Sequence, residues 1–258
     1  MARGFIYVVT TVTRDYVQER FSQVPTKWEG RLYFGPCKKP MRPKMLPGDW
    51  VFGLSHSKVP PRRIVFVAEL EERITFAEAY DRFPDLRGPE GPIHVRPVDG
   101  TGRFPECSYQ HIPGASHAND WKADLASQRL DAFFVCSNRA GWRGRWLGKY
   151  GPEIDDEILR FLKKCSVHGQ ASLLSAQNSD ATVERPIRHG GLYTGLHLET
   201  DHAESLLALC ASRIPGMTLL DSVVTPPRRS RAGGDCGVLE RARESGPNKP
   251  IRVTKHKC

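Results

Sequence analysis

"GDWVFGLSHSKVPPRRIVFVAELEERI" (residues 48–74) sets the fold class. Its two halves, "GDWVFGLSH" and "RRIVFVAELEERI", are rich in β-branched and aromatic residues, so each reads as a strand. Working back, "GFIYVVTTVT" (4–13) alternates and is equally rich in such residues, which makes it the first strand, and "RLYF" (31–34) is another. Working forward, "TFAEAYDRFPDL" (75–86) changes period. Thr75 is placed to cap a short helix, Phe76, Ala79, Tyr80 and Phe83 share one face, and Pro84 ends it.

Residues 87–119 form a long stretch rich in proline and glycine, of the kind that is more often functional than idle inside a compact domain. "RLDAFFVCSN" (129–138) then reads as a buried strand emerging at Ser137-Asn138, followed by a glycine-rich turn in "RAGWRGRWLGKYGPEI". "DDEILRFLKKC" (155–165) reads as a helix with acidic residues in its first turn, a stripe of Ile158, Leu159 and Leu162, and lysines in its last turn. Farther on, "GLYTGLHLE" suggests a strand and "DHAESLLALCASRI" an amphipathic helix. These segments divide the chain into a domain over 1–168, an α/β extension packed on it over 169–225, and a basic tail over 226–258. The tail is expected to be disordered because it has almost no large apolar residues.

Of the formal charge of +9, the tail contributes most, with nine Lys/Arg against three Asp/Glu; the first 225 residues hold 29 against 26. Such a tail favours phosphate contact, and many such tails serve only solubility. No apolar run approaches the roughly 20 residues needed to cross a bilayer, and no secretory signal opens the chain, so a cytoplasmic protein is expected. The seven cysteines are widely spaced, without a CxxC pair, and are expected to be reduced thiols. The sequence lacks a P-loop, a Rossmann glycine fingerprint, a GxSxG elbow and an HExxH motif, which removes support for nucleotide hydrolysis, hydride transfer and serine hydrolysis. No cofactor is expected.

Several side chains have chemistry to offer. Cys37 lies beside Lys38, Lys39 and Arg42, cations that stabilise a thiolate nucleophile. The same cysteine fits a half-buried structural role, and the frequency of buried free cysteines favours that reading. In "LPGDWVFG", Asp49 can bond turn amides and Trp50 can stack on a base or join the core. His117 with Asp120 can form an acid/base pair, or both can belong to an ordinary polar loop. His94, Cys107, His111 and His117 fit no familiar zinc spacing, so no metal site is expected. The passage 138–153 interleaves Trp142, Trp146 and Tyr150 with Arg139, Arg143, Arg145 and Lys149, beginning at Asn138. Rings that stack on unpaired bases and cations that follow phosphates suit single-stranded or flipped-base recognition; rings packed inward with arginines reaching out to water are the competing arrangement.

Taken in order, "YVV", "GPCKKPMR", "PGDWVFG", "VFVAELEERITFAEAYDRF", "VDG", "SHAND" and "FVCSN…YGPEI" resemble the second nucleotide modification associated domain family, over roughly residues 4–165. The matching positions include Cys37, Lys38, Pro40, Arg42, Gly48, Asp49 and Trp50, while 84–120 departs from the pattern and 170–258 has no counterpart. More distantly the chain is similar to the PUA-like group that contains EVE and ASCH domains. The resemblance implies an α+β fold, a PUA-like small β-barrel with flanking helices, whose pocket holds a modified base. It implies DNA bearing a modified base as the partner, together with other proteins of a modification or restriction system. The DpdC component of DNA deazaguanine modification systems is similar in setting. That similarity implies hydration of the nitrile of 7-cyano-7-deazaguanine in DNA; for it the residues offer Cys37 as nucleophile with Asp49, His117 and Asp120 as proton-transfer groups, or a carboxylate that activates water directly with Cys37 only structural. Lys38, Arg42, Trp50, Asn138, Trp142, Arg143, Arg145 and Trp146 would bind substrate. The alternative implied by the same pocket is a non-catalytic reader of a modified base in DNA or RNA.

Overall fold

The computed structural model describes residues 2–17, 25–36, 41–56, 58–89, 91–99, 102–114, 124–138, 144–165, 182 and 196–214. The described residues all belong to one compact unit, and the basic tail lies outside them. The expected α+β class holds: the main sheet curls into a half-barrel, and three α-helices accompany it among the described residues. No described helix is long and apolar enough to cross a membrane.

The strands are β1 (Gly4–Val9), β2 (Thr26–Trp28), β3 (Arg31–Phe34), β4 (Trp50–Ser55), β5 (Ile64–Ile74), β6 (Val95–Pro97), β7 (Tyr109–His111), β8 (Phe133–Cys136), β9 (Arg145–Trp146) and β10 (Leu196–Leu198). The helices are α1 (Phe76–Arg82), α2 (Asp156–Lys164) and α3 (Thr200–Arg213). The main sheet runs β10-β1-β4-β5-β8-β3-β2, with β9 also on β5. Only β1 and β4 pair in parallel, and every residue of both strands is buried, as expected of parallel strands covered on both faces. The curl comes from β5. Its first half pairs with β4 and β9, its second half with β8, and a register shift between Leu70 and Glu72 bends it between them.

Side-chain alternation then builds three apolar layers. Phe5, Tyr7 and Val9 of β1, Phe66, Ala68 and Leu70 of β5, and Phe134 and Cys136 of β8 fill the concave side, closed over by Met41, Met45, Val12 and Tyr16. Ile6, Phe52, Leu54 and Val67 face the other way, onto Ile158 and Leu162 of α2 and Ala203 and Leu206 of α3. Tyr33, Phe133 and Val135 pack on Phe76 and Ala79 of α1 and on Ile93, Val95 and Tyr109 of the β6–β7 hairpin. Burying such side chains contributes roughly 1.5–3 kcal/mol each. Gly53 is required by this packing, because a Cβ there would sit 1.9 Å from the Phe66 ring, which stacks on Trp146 at 5.9 Å.

The helices form where capping and periodicity place them. Thr75 and Glu78 make a reciprocal capping box on α1, and Asp155 caps α2 by accepting from Glu157 and Ile158 amides. Strand β10 continues the main sheet by pairing with β1, so residues 196–198 share its hydrogen bonding. The stretch over 87–119, read as loop, contains the β6–β7 hairpin.

Candidate functional site

The Pro-Gly-Asp-Trp turn is a structural knot. Asp49, 2% exposed, accepts from the Arg3 amide at 3.0 Å, Arg3 Nε at 3.3 Å, Arg3 Nη2 at 2.8 Å and the Leu46 amide at 2.8 Å. Those four bonds fill the acceptor capacity of a carboxylate. Arg3 also reaches the Lys44 carbonyl, and the Gly48 amide donates to the Leu70 carbonyl at 2.7 Å. Asp49 thereby fastens the start of β1 to the turn and to β5. Trp50 is buried in the outer layer with Ile6 and Phe52, which is the core alternative for that residue.

Arg42 is also committed to the fold. It is fully buried, its Nη1 donates to the Leu130 carbonyl and its Nη2 to the Asp124 carbonyl, and its guanidinium lies 5.9 Å from the centre of the Phe76 ring. This clasp sits at the start of β8. Cys37 and Lys38 lie outside the described residues, as do His117 and Asp120, yet the described chain resumes at Met41 after the first pair and at Asp124 after the second. Arg42 therefore joins the points at which both segments re-enter the fold.

The aromatic and cationic passage leaves from the opposite end of β8. Asn138 is exposed there; Trp142 and Arg143 lie outside the described residues. Gly144, at φ +84°, lies close against the end of β8, since a Cβ would stand 2.1 Å from the Ser137 carbonyl. Arg145 pairs with Val67 at the edge of β5 and is half-buried. Trp146 points inward, with its indole N–H donating to the Tyr16 carbonyl at 2.9 Å and its ring on Phe66, so it is core rather than a stacking platform. Four residues of β8 separate the two ends, about 10 Å of strand. The structure thus brings Asp49, Trp50, Asn138 and Arg145 toward one end and puts Arg42 at the other.

Between the turn and the end of β8 lies an open cleft of about 220 Å³, lined by Gly48, Glu69, Leu70, Glu71 and Ser137. Glu71 is engaged by Arg31, which also donates from Nε to the Cys136 carbonyl at 2.7 Å. Glu69 is half-buried, and its carboxylate accepts from no donor among the described residues. Glu69 is inconspicuous in the sequence because "ELEERI" alternates like any strand with one wet face. The available signal was its place at the junction where β5 stops being continuously apolar.

His94 and His111 stand side by side in the hairpin, with ring centroids 5.5 Å apart and His111 Nδ1 2.8 Å from the Ile112 carbonyl. Among the described residues, no group of three or more His, Cys, Asp or Glu is placed to hold a metal ion. Burial pushes the thiols of Cys165 and Cys210 up to about 12 and raises that of Cys136 further, so these three are poor nucleophiles at neutral pH. Cys107 is the most accessible of the described thiols.

No family model, no curated protein and no solved structure matches this chain.

Proposed function

We propose that the protein acts on a modified purine in DNA, within a PUA-like variant of the half-barrel, and that the reaction is hydration of the nitrile of 7-cyano-7-deazaguanine to the carboxamide. The observation that carries this reading is the Arg42 clasp. Cys37 lies five positions before Arg42 and His117 seven before Asp124, while Arg42 Nη2 donates to the Asp124 carbonyl. At no more than roughly 3.6 Å per residue, tethers of five and seven residues reach at most about 18 and 25 Å, so a common site lies within reach of both. The ordered sequence words that resemble the nucleotide modification family support the same reading.

The chemistry is a thiolate addition. Cys37 sulfur attacks the nitrile carbon while His117, oriented by Asp120, delivers a proton to nitrogen, giving a thioimidate. Water then adds to that carbon, the C–S bond breaks, and the thiol and the carboxamide leave with a net uptake of one water. Asp49, saturated by Arg3 and Leu46, has no part in this version. Incubating the protein with DNA containing the cyano base and analysing the digested nucleosides by mass spectrometry tests it. Conversion without a partner protein is expected, with Cys37→Ala losing at least a hundredfold in rate; full turnover by that variant would remove the thiolate mechanism.

The second reading is a non-catalytic reader of a modified base. It is favoured by the cleft beside Ser137, at the opposite end of β8 from the Arg42 clasp, where a base could be held. Selective binding without conversion in the same experiment selects it.

A further inference from the structure

We propose that Glu69 recognises the Watson–Crick edge of a guanine-type base turned into the cleft beside the Pro-Gly-Asp-Trp turn. The proposal deepens the second reading above, a reader that holds the base in this cleft, and rests on it. Three observations combine. First, an open cleft of about 220 Å³, below the range of drug-sized ligand sites, lies beside the turn. Second, its other charged and turn groups are occupied: Glu71 holds Arg31, the Gly48 amide holds the Leu70 carbonyl, and the neighbouring Asp49 is saturated by Arg3 and the Leu46 amide. Third, Glu69 is half-buried and its carboxylate meets no described donor, so both of its oxygens are open to a ligand that enters the cleft.

The geometry of the demand selects the ligand. A carboxylate presents two parallel acceptors, and a neutral base that offers two adjacent N–H donors to match is guanine, through N1–H and the 2-amino group. Adenine and thymine offer only one donor on that edge, and cytosine one. The 7-position, on the opposite side of the purine, stays outside this contact, so a 7-deaza base with a substituent there keeps the same edge. Gly48 suits the approach of such a ring: its φ is +88° and a Cβ there would meet nothing within 4 Å, which leaves that wall open. The edge is exposed only in an unpaired base, so the ligand is single-stranded or flipped DNA.

The test uses the full chain and single-stranded oligonucleotides carrying one 7-cyano-7-deazaguanine, the same base lacking its 2-amino group, or ordinary guanine and hypoxanthine, with affinity read by fluorescence anisotropy. Removal of the 2-amino group is expected to weaken wild-type binding roughly ten- to a hundredfold, and to weaken Glu69→Gln less than threefold, because the amide keeps only one acceptor. Glu69→Asp, which keeps both acceptors, should bind less tightly yet still discriminate. A wild-type protein that prefers the cyano base but ignores the 2-amino group overturns the Glu69 assignment alone. One that discriminates guanine from hypoxanthine but shows no preference for the cyano base supports Glu69 and overturns the modified-base function. Equal loss in wild type and Glu69→Gln, with both unfolding at the same urea concentration, also overturns the assignment.

Discussion

At the start of β8 the Arg42 guanidinium is fully buried and directs its donors to the carbonyls of Leu130 and Asp124, whereas at the far end Glu69 lines a cleft with no described donor on its carboxylate. Asp49 stands at the Glu69 end but resembles Arg42 in kind: all its acceptor capacity is taken by Arg3 and Leu46. The difference teaches that a charge's neighbours, more than its burial or its place in a motif, decide whether it holds the fold or waits for a ligand. A buried charge with its partners in place resists removal because each partner loses a bond that water cannot replace. A charge without partners has little to lose when it is neutralised.

The largest effect that would break this contrast is at Arg42. Arg42→Leu keeps apolar volume but leaves two carbonyls without their donor and frees the segment that ends at Asp124, so a loss of about 3–5 kcal/mol is expected in urea unfolding. Arg42→Lys should recover less than half of it, because an ammonium cannot address two carbonyls with the fixed fork of a guanidinium. A loss under about 1 kcal/mol for the leucine variant would show that the clasp does not hold the fold. Asp49→Asn comes next. It abolishes the ion pair with Arg3 and places an amide donor against the Leu46 or Arg3 N–H groups, for an expected cost of about 1–3 kcal/mol. The partner variant Arg3→Ala should cost a similar amount, and the double variant should cost clearly less than the sum of the two.

Local signals carried most of the elements, and long-range pairings carried what the sequence hid. The Thr75–Glu78 box and the Ile158, Leu159, Leu162 stripe act within one or two turns, so spacing alone revealed them. The parallel pairing of β1 with β4, the partner of Asp49 at a separation of 46 residues, and the reach of Arg42 across 82 residues to Asp124 leave no local trace. The β6–β7 hairpin escaped for another reason: strands of three residues broken by Pro97 lack the length that alternation needs to show. At the candidate site the same rule explains the outcome for Trp50 and Trp146. Aromatic residues near turns have equal claims on core and ligand until the opposite wall is known, and here that wall is Ile6 and Phe52 for one and Phe66 for the other.

A third position calibrates the contrast from outside both ends. Glu78 is exposed, yet hydrogen bonds from the Thr75 amide and hydroxyl hold its carboxyl below the usual range. A carboxyl lowered on folding contributes stability above its unfolded value of about 4.3 and loses it as pH falls through the folded value. Thr75→Ala removes the hydroxyl half of the box, for an expected cost of about 1 kcal/mol at pH 7. In urea titrations from pH 7 to pH 3, the gap between wild type and this variant should narrow toward the acid end. A gap that widens below pH 4 would mean that Glu78 is bonded chiefly in its protonated form.

The smallest expected effect is the most informative. Glu69→Gln removes a negative charge that no described donor engages, so urea unfolding should move by no more than about 0.5 kcal/mol in either direction, the range of substitutions away from buried networks. The sign carries meaning. Neutralising a carboxylate that no described donor engages breaks no described bond and removes a like charge from the cleft that Glu71 also lines, so a slight gain in stability is expected. A gain there, set beside a loss of several kcal/mol at Arg42, is the pattern of a site held in reserve at the expense of stability. A loss above about 1 kcal/mol at Glu69 would instead place this carboxylate with Asp49 among the groups that hold the turn, and the contrast between the two ends of β8 would collapse.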